Sequence, residues 1–122
     1  MSKEISIKET ALLAAEAADD KKAEDIEILN LEGLTVIADY FVICSANSDK
    51  QVRAIYRAVD EKLSELNIEY KKVAGLDDAR WVLMDYADVV VHIFQKRERE
   101  YYDLDRLWAD AEKILRKEGR QT

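Results

Sequence analysis

The sequence predicts an α/β (α+β) fold in which helices pack on a single mixed sheet of about five strands. Three observations carry this prediction. Two segments of helical periodicity begin at capping sequences, short runs rich in β-branched residues lie between and after them, and two such runs form a hairpin. The 122 residues, 48% hydrophobic and 37% charged, have the composition of one soluble globular domain. We expect a single domain over residues 1–122, with its compact core over 6–108 and a weakly packed helix or frayed end over 109–122.

The first half of the chain predicts two helices and two strands. Ser6-Ile7-Lys8-Glu9 is a capping box that starts the first helix, whose narrow apolar stripe is mainly alanine. Ser48-Asp49-Lys50-Gln51 is a second capping box, and the helix that it starts ends near Asn67. Strands are expected over 25–29 and 40–44, and the second is apolar on both faces, as in the middle of a sheet.

Other segments of the chain are less regular. Residues 34–37 are ambiguous between a helical turn and extended structure, and residues 68–73 form a plausible further strand. Helical spacing returns near the C-terminus at Tyr101, Leu104, Leu107 and Trp108, and we expect the aromatic residues Tyr101 and Trp108 to pack rather than to bind a partner. Tyr102 lies off that face and is the exception.

Residues 81–94 have the pattern of a β-hairpin that turns at Asp85-Tyr86-Ala87-Asp88. With Tyr86 and Ala87 as a two-residue loop, three cross-strand pairs are expected: Asp85 with Asp88, Leu83 with Val90, and Trp81 with His92. One face of the hairpin is uniformly apolar: Val82, Met84, Val89, Val91 and Ile93. The other face combines a tryptophan and a histidine with two carboxylates, a composition that suits contact with a partner.

The charge of the chain favours a cationic partner. Net charge is −7, and the first 94 residues carry 11 basic and 19 acidic side chains. A protein that coats RNA or DNA needs the opposite balance, so no direct nucleic-acid recognition is expected. A single cysteine, no apolar run long enough to span a membrane and no secretory signal at the N-terminus predict a cytoplasmic protein without membrane contact.

Few residues point to catalysis or metal binding. His92 is the only histidine, so we expect a structural role against Trp81 and predict no metal or cofactor. Cys44 ends an apolar strand and is expected to be inert. The loop Ser45–Ser48 lies between a strand and a helix, where it could contact a phosphate or serve only as a helix cap.

Three blocks of sequence carry a resemblance to a known family. They are Ala38-Asp39-Tyr40-Phe41-Val42-Ile43-Cys44-Ser45, residues 80–94 and residues 99–108. In order and spacing they resemble the signatures of the ribosomal silencing factor family, the Iojap-like proteins of bacteria and organelles. The resemblance runs from about Ile7 to Trp108. Ala46 and Ala87 stand where glycine is common in the family, so the resemblance does not fix the local turn geometry there.

The resemblance implies both a fold and a function. The family is similar in fold to nucleotidyltransferases, but the predicted strands here lack the alternating carboxylates that hold magnesium for phosphoryl transfer. It implies a protein that is not an enzyme. Such a protein binds the large ribosomal subunit through ribosomal protein fourteen of that subunit, blocks association with the small subunit and represses translation when nutrients are short. A nucleotidyltransferase-like enzyme or nucleotide-binding protein is the alternative, and a homodimer formed through the Trp81 face is a further possibility.

The candidate contact residues are carried over from this resemblance: Trp81, Leu83, Asp85, Tyr86 and Asp88, with Asn47 as a weaker candidate. From the residues alone, Asp85 and Asp88 either brace the hairpin turn or form a paired anionic contact for arginine or lysine. The resemblance favours the contact. It requires the Trp81 indole to stand clear of the core beside these carboxylates.

Overall fold

The computed structural model describes residues 5–117. Its helices are α1 (Ile7–Asp20), α2 (Asp49–Ser64), α3 (Lys96–Tyr102) and α4 (Leu104–Leu107). Its strands are β1 (Glu24–Asn30), β2 (Tyr40–Ala46), β3 (Lys72–Ala74), β4 (Trp81–Asp85), β5 (Val89–Gln95) and β6 (Glu112–Lys117). The six strands form one sheet in the order β3-β4-β5-β2-β1-β6. Strands β2 and β5 are parallel and the other neighbours are antiparallel, which confirms the predicted mixed α/β fold.

Helices α1 and α2 pack side by side on one face of the sheet. The predicted capping box of α1 is present: the Ser6 hydroxyl accepts from Glu9 N at 3.0 Å, and the Glu9 carboxylate accepts from Ser6 N at 3.4 Å. Helix α1 buries mainly alanines, which let its backbone lie close to the strands: Ala11, Ala14, Ala15, Ala17 and Ala18. Helix α2 buries larger side chains: Val52, Ile55, Val59 and Leu63. None of the helices within residues 5–117 combines the length and apolar character needed to cross a bilayer.

The second predicted capping box forms only in part. The Ser48 hydroxyl accepts from Gln51 N at 3.1 Å, as expected for a cap. The Gln51 side chain does not return to Ser48. Its Oε1 accepts from Asn47 N at 2.7 Å, and its Nε2 donates to the carbonyls of Lys21 and Lys22 at 3.1 and 3.0 Å. Gln51 therefore ties the start of α2 to the end of α1.

The predicted hairpin is present, but its register differs from the prediction by two residues. Strands β4 and β5 pair Asp85 with Val90, Leu83 with His92 and Trp81 with Phe94. The turn lies one residue further along the chain than predicted: Tyr86 N donates to the Val89 carbonyl at 2.9 Å, which leaves Ala87 and Asp88 as the two-residue loop. Asp85 Oδ1 accepts from Ala87 N at 2.8 Å, and Ala87 has a φ of 72°. A slip of two residues keeps every side chain on its own face because the alternation has a period of two. The predicted division into two faces is therefore confirmed, although the predicted pairs were wrong.

The C-terminal segment forms strand β6, so the prediction of a weakly packed helix or frayed end was wrong for residues 112–117. Strand β6 lies antiparallel to β1 at an edge of the sheet. Its two large apolar residues, Ile114 and Leu115, are adjacent, and its register with β1 shifts between Ile28 and Leu29. The strict alternation that identifies a strand is therefore missing from its sequence. Residues 118–122 of the predicted tail lie outside the described residues.

Three further segments are less regular than a continuous helix or strand. Residues 34–37 form neither helix nor strand, and the strand expected over 68–73 is reduced to β3. Asp103 adopts the left-handed conformation, with a φ of 47°, and separates α3 from α4. The helical spacing predicted for residues 101–108 is therefore interrupted after Tyr102.

Candidate partner-binding surface

The sheet face opposite α1 and α2 carries an aromatic cluster centred on Trp81. The indole of Trp81 stacks on the ring of Phe94, with 4.9 Å between their centroids and 24° between their planes. The ring of Tyr102 lies 4.6 Å from the indole. Trp81 is half-buried, so part of its ring is at the surface. The indole is therefore neither sealed inside the domain nor fully clear of it: it packs against the second core cluster and keeps an exposed part.

The polar atom of the indole points into the domain. Trp81 Nε1–H donates to His92 Nδ1 at 3.1 Å. His92 is 3% exposed and burial lowers its pKa to about 3. The imidazole is therefore neutral at pH 7, and because Nδ1 accepts, its proton is on Nε2. Its ring also meets that of Phe41 edge-on at 4.4 Å between centroids. His92 is structural, as predicted, and orients Trp81.

Three exposed side chains extend this cluster to solvent: Tyr101, Tyr102 and Leu107 are 80%, 48% and 69% exposed. The rings of Tyr101 and Tyr102 contact edge-to-face at 5.0 Å between centroids. We call Trp81, Tyr101, Tyr102 and Leu107 the aromatic surface. The prediction that Tyr101 packs was wrong, because the left-handed Asp103 ends α3 and interrupts the helical spacing of residues 101–108. Tyr102, the predicted exception, is exposed.

The two aspartates lie at the other end of the hairpin from Trp81. Strand β4 places Trp81, Leu83 and Asp85 on one face, and about 13 Å of strand separates the first from the last. Asp85 braces the turn through Ala87 N at 2.8 Å, which is the structural alternative left open by the sequence. Asp88 is exposed, and its backbone carbonyl accepts from Asp39 N and Tyr40 N at 2.9 and 3.1 Å. The carboxylates therefore do not flank the indole.

Tyr86 does not reach this side of the sheet. It is 9% exposed and packs in the core beneath α1 and α2, with its ring 6.1 Å from that of Tyr70. Its hydroxyl is buried and finds no hydrogen-bond partner within residues 5–117. Burial raises its pKa. Tyr86 is therefore a core residue, and its assignment to the docking face was wrong.

Asn47 lies in a cleft at the C-terminal ends of the parallel strands β2 and β5. The cleft holds about 450 Å³ and is lined by three cationic side chains, Arg80, Lys96 and Arg97, together with Glu98. Lys96 is paired with Glu24 at 2.9 Å. Arg80 and Glu98 also line a groove beside Trp81 and Tyr102, so Asn47 is near the aromatic surface.

A charged cluster on the same sheet face holds β6 and α4 in place, and sequence reasoning did not find it. Arg99 donates to Glu27 at 3.2 Å and to Asp105 at 3.1 and 3.3 Å. Lys113 and Arg116 of β6 lie 3.5 and 3.8 Å from the Glu27 carboxylate. Burial, with the neighbouring Asp105 carboxyl, raises the pKa of Glu27 to about 7. Glu27 belongs to the alternating segment 25–29, but its burial is explained only by cationic partners that are distant in sequence.

The residues with catalytic or ligand-binding chemistry are otherwise unremarkable in their setting. Cys44 is fully buried, and burial raises the pKa of its thiol to about 12. This environment fits the predicted inert role. Among residues 5–117, no group of three His, Cys, Asp or Glu side chains is placed to hold a metal ion.

Comparisons with known proteins give consistent matches over nearly the whole chain. A family model described as "Ribosomal silencing factor during starvation" matches residues 4–122. The ribosomal silencing factor of Bacillus subtilis is 57% identical over 99 residues, which cover 81% of this chain and 84% of that protein. The chloroplastic Iojap protein of Zea mays is 36% identical over 85% of this chain and 45% of its own length. A crystal structure of a Chromobacterium violaceum protein has a TM-score of 0.83 and 32% identity, and covers 97% of this chain and 91% of that one.

Proposed function

This chain belongs to the ribosomal silencing factor family, and from that premise we propose that it binds the large ribosomal subunit and sterically blocks association with the small subunit. The contact is ribosomal protein fourteen of the large subunit, at the face where the small subunit joins. Translation in the cytoplasm is thereby repressed under nutrient limitation. The mechanism requires occupancy of a surface and no bond making.

The aromatic surface is the observation that best supports this proposal. Aromatic anchors that are partly desolvated and surrounded by charged residues are typical of interface hot spots. Trp81 has this setting, because its ring is stacked on Phe94, its Nε1–H is satisfied by His92 and its remaining surface adjoins the exposed Tyr102. A partner that covers this surface gains apolar burial without having to satisfy the indole N–H.

The net charge of the chain supports the same class of partner. A chain of net charge −7 approaches a basic ribosomal protein faster than a neutral one, and this steering weakens as salt screens it. Leu83 is half-buried between the aromatic surface and the hairpin turn, so a partner that spans the strand contacts it as well. We keep Trp81 and Leu83 as docking residues, with Asn47 at the adjoining cleft.

The test is gradient sedimentation of purified small and large subunits with and without the protein. We expect wild-type protein to move with the large subunit and to reduce the pool of paired subunits. The double variant Tyr102→Ala/Leu107→Ser, at two exposed positions, should lose at least about tenfold in affinity. The matched control Leu12→Ser/Leu66→Ser changes residues that are 40% and 42% exposed on the helical side, and should act as wild type. Normal subunit pairing in saturating wild-type protein would refute the proposal.

The cationic cleft favours one alternative, a nucleotide-binding protein. Arg80 and Arg97 are exposed in it beside Asn47, and their guanidinium groups suit a phosphate. Calorimetry with a nucleoside triphosphate and magnesium distinguishes the two readings. Saturable binding that is lost in Arg80→Gln/Arg97→Gln would support the alternative, whereas silencing that persists in this variant would support the ribosomal function.

In the free protein, the aromatic surface is also a candidate contact between two copies of the chain in a homodimer. The exposed rings of Tyr101 and Tyr102 are apolar area that a second copy can cover. Light scattering of the wild type and of Tyr102→Ala/Leu107→Ser tests this, because a dimer held by this surface dissociates in the variant. A dimer of this kind must open before the large subunit can bind.

A further inference from the structure

The loop between β1 and β2 exposes three aliphatic side chains within the four residues 34–37. Leu34, Val36 and Ile37 are 49%, 104% and 65% exposed. Scattered apolar residues on a surface are ordinary, but a contiguous apolar group at one loop tip marks an interaction site. Packing within the described residues therefore does not account for the apolar side chains at positions 34, 36 and 37.

This loop is held in place at both ends although its tip is exposed. Leu31 and Ala38 are buried in the core on either side of the tip. Leu31 N donates to the Asp39 carbonyl at 2.8 Å, and the amides of Asp39 and Tyr40 both donate to the Asp88 carbonyl of the hairpin turn. Within the tip, Ile37 N donates to the Thr35 hydroxyl at 3.2 Å. A partner that covers the tip therefore does not have to order the chain ends that carry it.

The charge around the tip is mainly acidic. Residues 23–49 and 81–95, which contain the loop and its four nearest strands, have no lysine or arginine, whereas the flanking strands bring Lys72 opposite Asp85 and Lys113 opposite Leu29. Glu32 and Asp39 flank the tip in sequence, and the backbone bonds to the turn bring Asp88 beside it. Glu32 and Asp39 also raise the pKa of Tyr40, after burial as the largest cause, which locates their negative potential at the base of the loop. Asp85 is a weaker contributor because it braces the turn and lies opposite Lys72.

We propose that Leu34, Val36 and Ile37, with Glu32, Asp39 and Asp88, form a second docking surface for a polypeptide segment that alternates lysine or arginine with aliphatic side chains. We call it the loop–turn surface. This inference rests on the proposed function and identifies the chemistry of the partner at the end of the hairpin far from Trp81. The carboxylates repel a phosphate backbone, so the occupant is a basic segment of a ribosomal protein and not RNA.

The test compares two variants of the loop–turn surface with matched controls. Val36→Ser/Ile37→Ser removes apolar area from exposed positions, and Asp39→Asn/Asp88→Asn removes charge from side chains that form no hydrogen bond within the described residues. The controls make the same kinds of change on the helical side, Leu12→Ser/Leu66→Ser and Glu61→Gln/Glu65→Gln. Affinity for purified large subunits is measured at low and high salt, with naked large-subunit RNA as a further arm.

We expect the serine variant to lose about tenfold or more in affinity at both salt concentrations, because its loss is apolar. The asparagine variant should lose affinity at low salt and show a flatter salt dependence than wild type. Wild-type affinity of both variants, or binding to naked RNA that the asparagine variant strengthens, would overturn this inference. If wild-type protein binds and only the aromatic-surface variant fails, the silencing function stands without the loop–turn surface.

A second copy of the chain is the other occupant that the test addresses. If light scattering shows that Val36→Ser/Ile37→Ser converts a dimer to a monomer while large-subunit affinity is unchanged, the loop–turn surface is a homodimer contact and the inference is wrong. An unchanged association state together with lost large-subunit affinity supports it. Circular dichroism of each variant confirms that the fold is intact before either measurement is interpreted.

Discussion

The two faces of the sheet are built from different chemistry. The face under α1 and α2 is a continuous apolar core in which alanines and branched aliphatic side chains pack against the strands. The opposite face carries an aromatic cluster around Trp81 and a charged cluster around Arg99, which joins α3 and α4 to β1 and to the edge strand β6. The helical face supplies stability through close packing, whereas the second face retains half-buried rings and charges that a partner can contact. A side chain must keep some exposed area to contact a partner, and Trp81 and Leu83 on the second face do so.

The largest effect is expected from removing the most buried of the three cations in the charged cluster, Arg99. In Arg99→Met the Glu27 carboxylate, 5% exposed, loses its buried guanidinium partner. Breaking a buried pair by deleting one partner costs about 3–5 kcal/mol of unfolding free energy. Urea denaturation at pH 7 measures it. The control Arg57→Met, at an exposed position of α2, should change stability by less than about 0.5 kcal/mol. A loss below about 1 kcal/mol for Arg99→Met would show that Glu27 accommodates a proton at little cost.

The pH dependence of stability gives a second, smaller effect from the aromatic cluster. Burial depresses the pKa of His92 from 6.5 to about 3. Below pH 6.5 the imidazole binds a proton in the unfolded chain but stays neutral in the folded chain. The contribution of His92 to the free energy of unfolding is therefore lost as the pH falls toward 3. At pH 5 the loss is about 2 kcal/mol relative to pH 7. His92→Asn keeps an acceptor near Nδ1 for Trp81 but cannot titrate, and should remove this part of the pH dependence.

The raised pKa of Glu27 works in the opposite direction and must be separated from that of His92. Its folded pKa of about 7 lies above the ordinary 4.5, so its contribution is present at low pH and lost as pH rises through 7. Because wild type and His92→Asn share Glu27, the difference between their stabilities at pH 7 and pH 5 isolates the imidazole. Parallel stability profiles for the two proteins would contradict a neutral, buried His92.

The same contrast explains which features the sequence predicts. The helical face follows from local patterns: the Ser6 cap, the alanine stripe of α1 and the aliphatic face of α2 are all readable along the chain. The two faces of the hairpin are also predictable, because alternation alone assigns them. Its register is not, because the turn is placed at Ala87 and Asp88 by a positive φ at Ala87 that the residue type does not favour.

The second face depends on contacts between distant segments, and there the sequence predictions fail. Glu27 and Arg99 are 72 residues apart in the sequence, and no local pattern around either residue predicts that they pair. Strand β6 is recognisable only beside β1, since Ile114 and Leu115 do not alternate. Tyr101 and Leu107 are exposed because of the backbone at Asp103. Of the predicted docking residues, Trp81 and Leu83 lie on the face that carries the candidate surface, whereas Tyr86 lies in the core on the other face.

The smallest expected effect concerns an ion pair on the helical face. Lys62 Nζ and Glu16 Oε1 are 2.8 Å apart, closer than the 3.2 Å between Arg99 and Glu27, and they link α2 to α1. Distance does not set the energy, because the Glu16 side chain is 60% exposed and water screens the pair. Lys62→Met should therefore cost no more than about 0.5 kcal/mol, and the cost should fall further in high salt. A loss comparable to that of Arg99→Met, measured by the same urea titration, would mean that burial does not separate the two faces as argued.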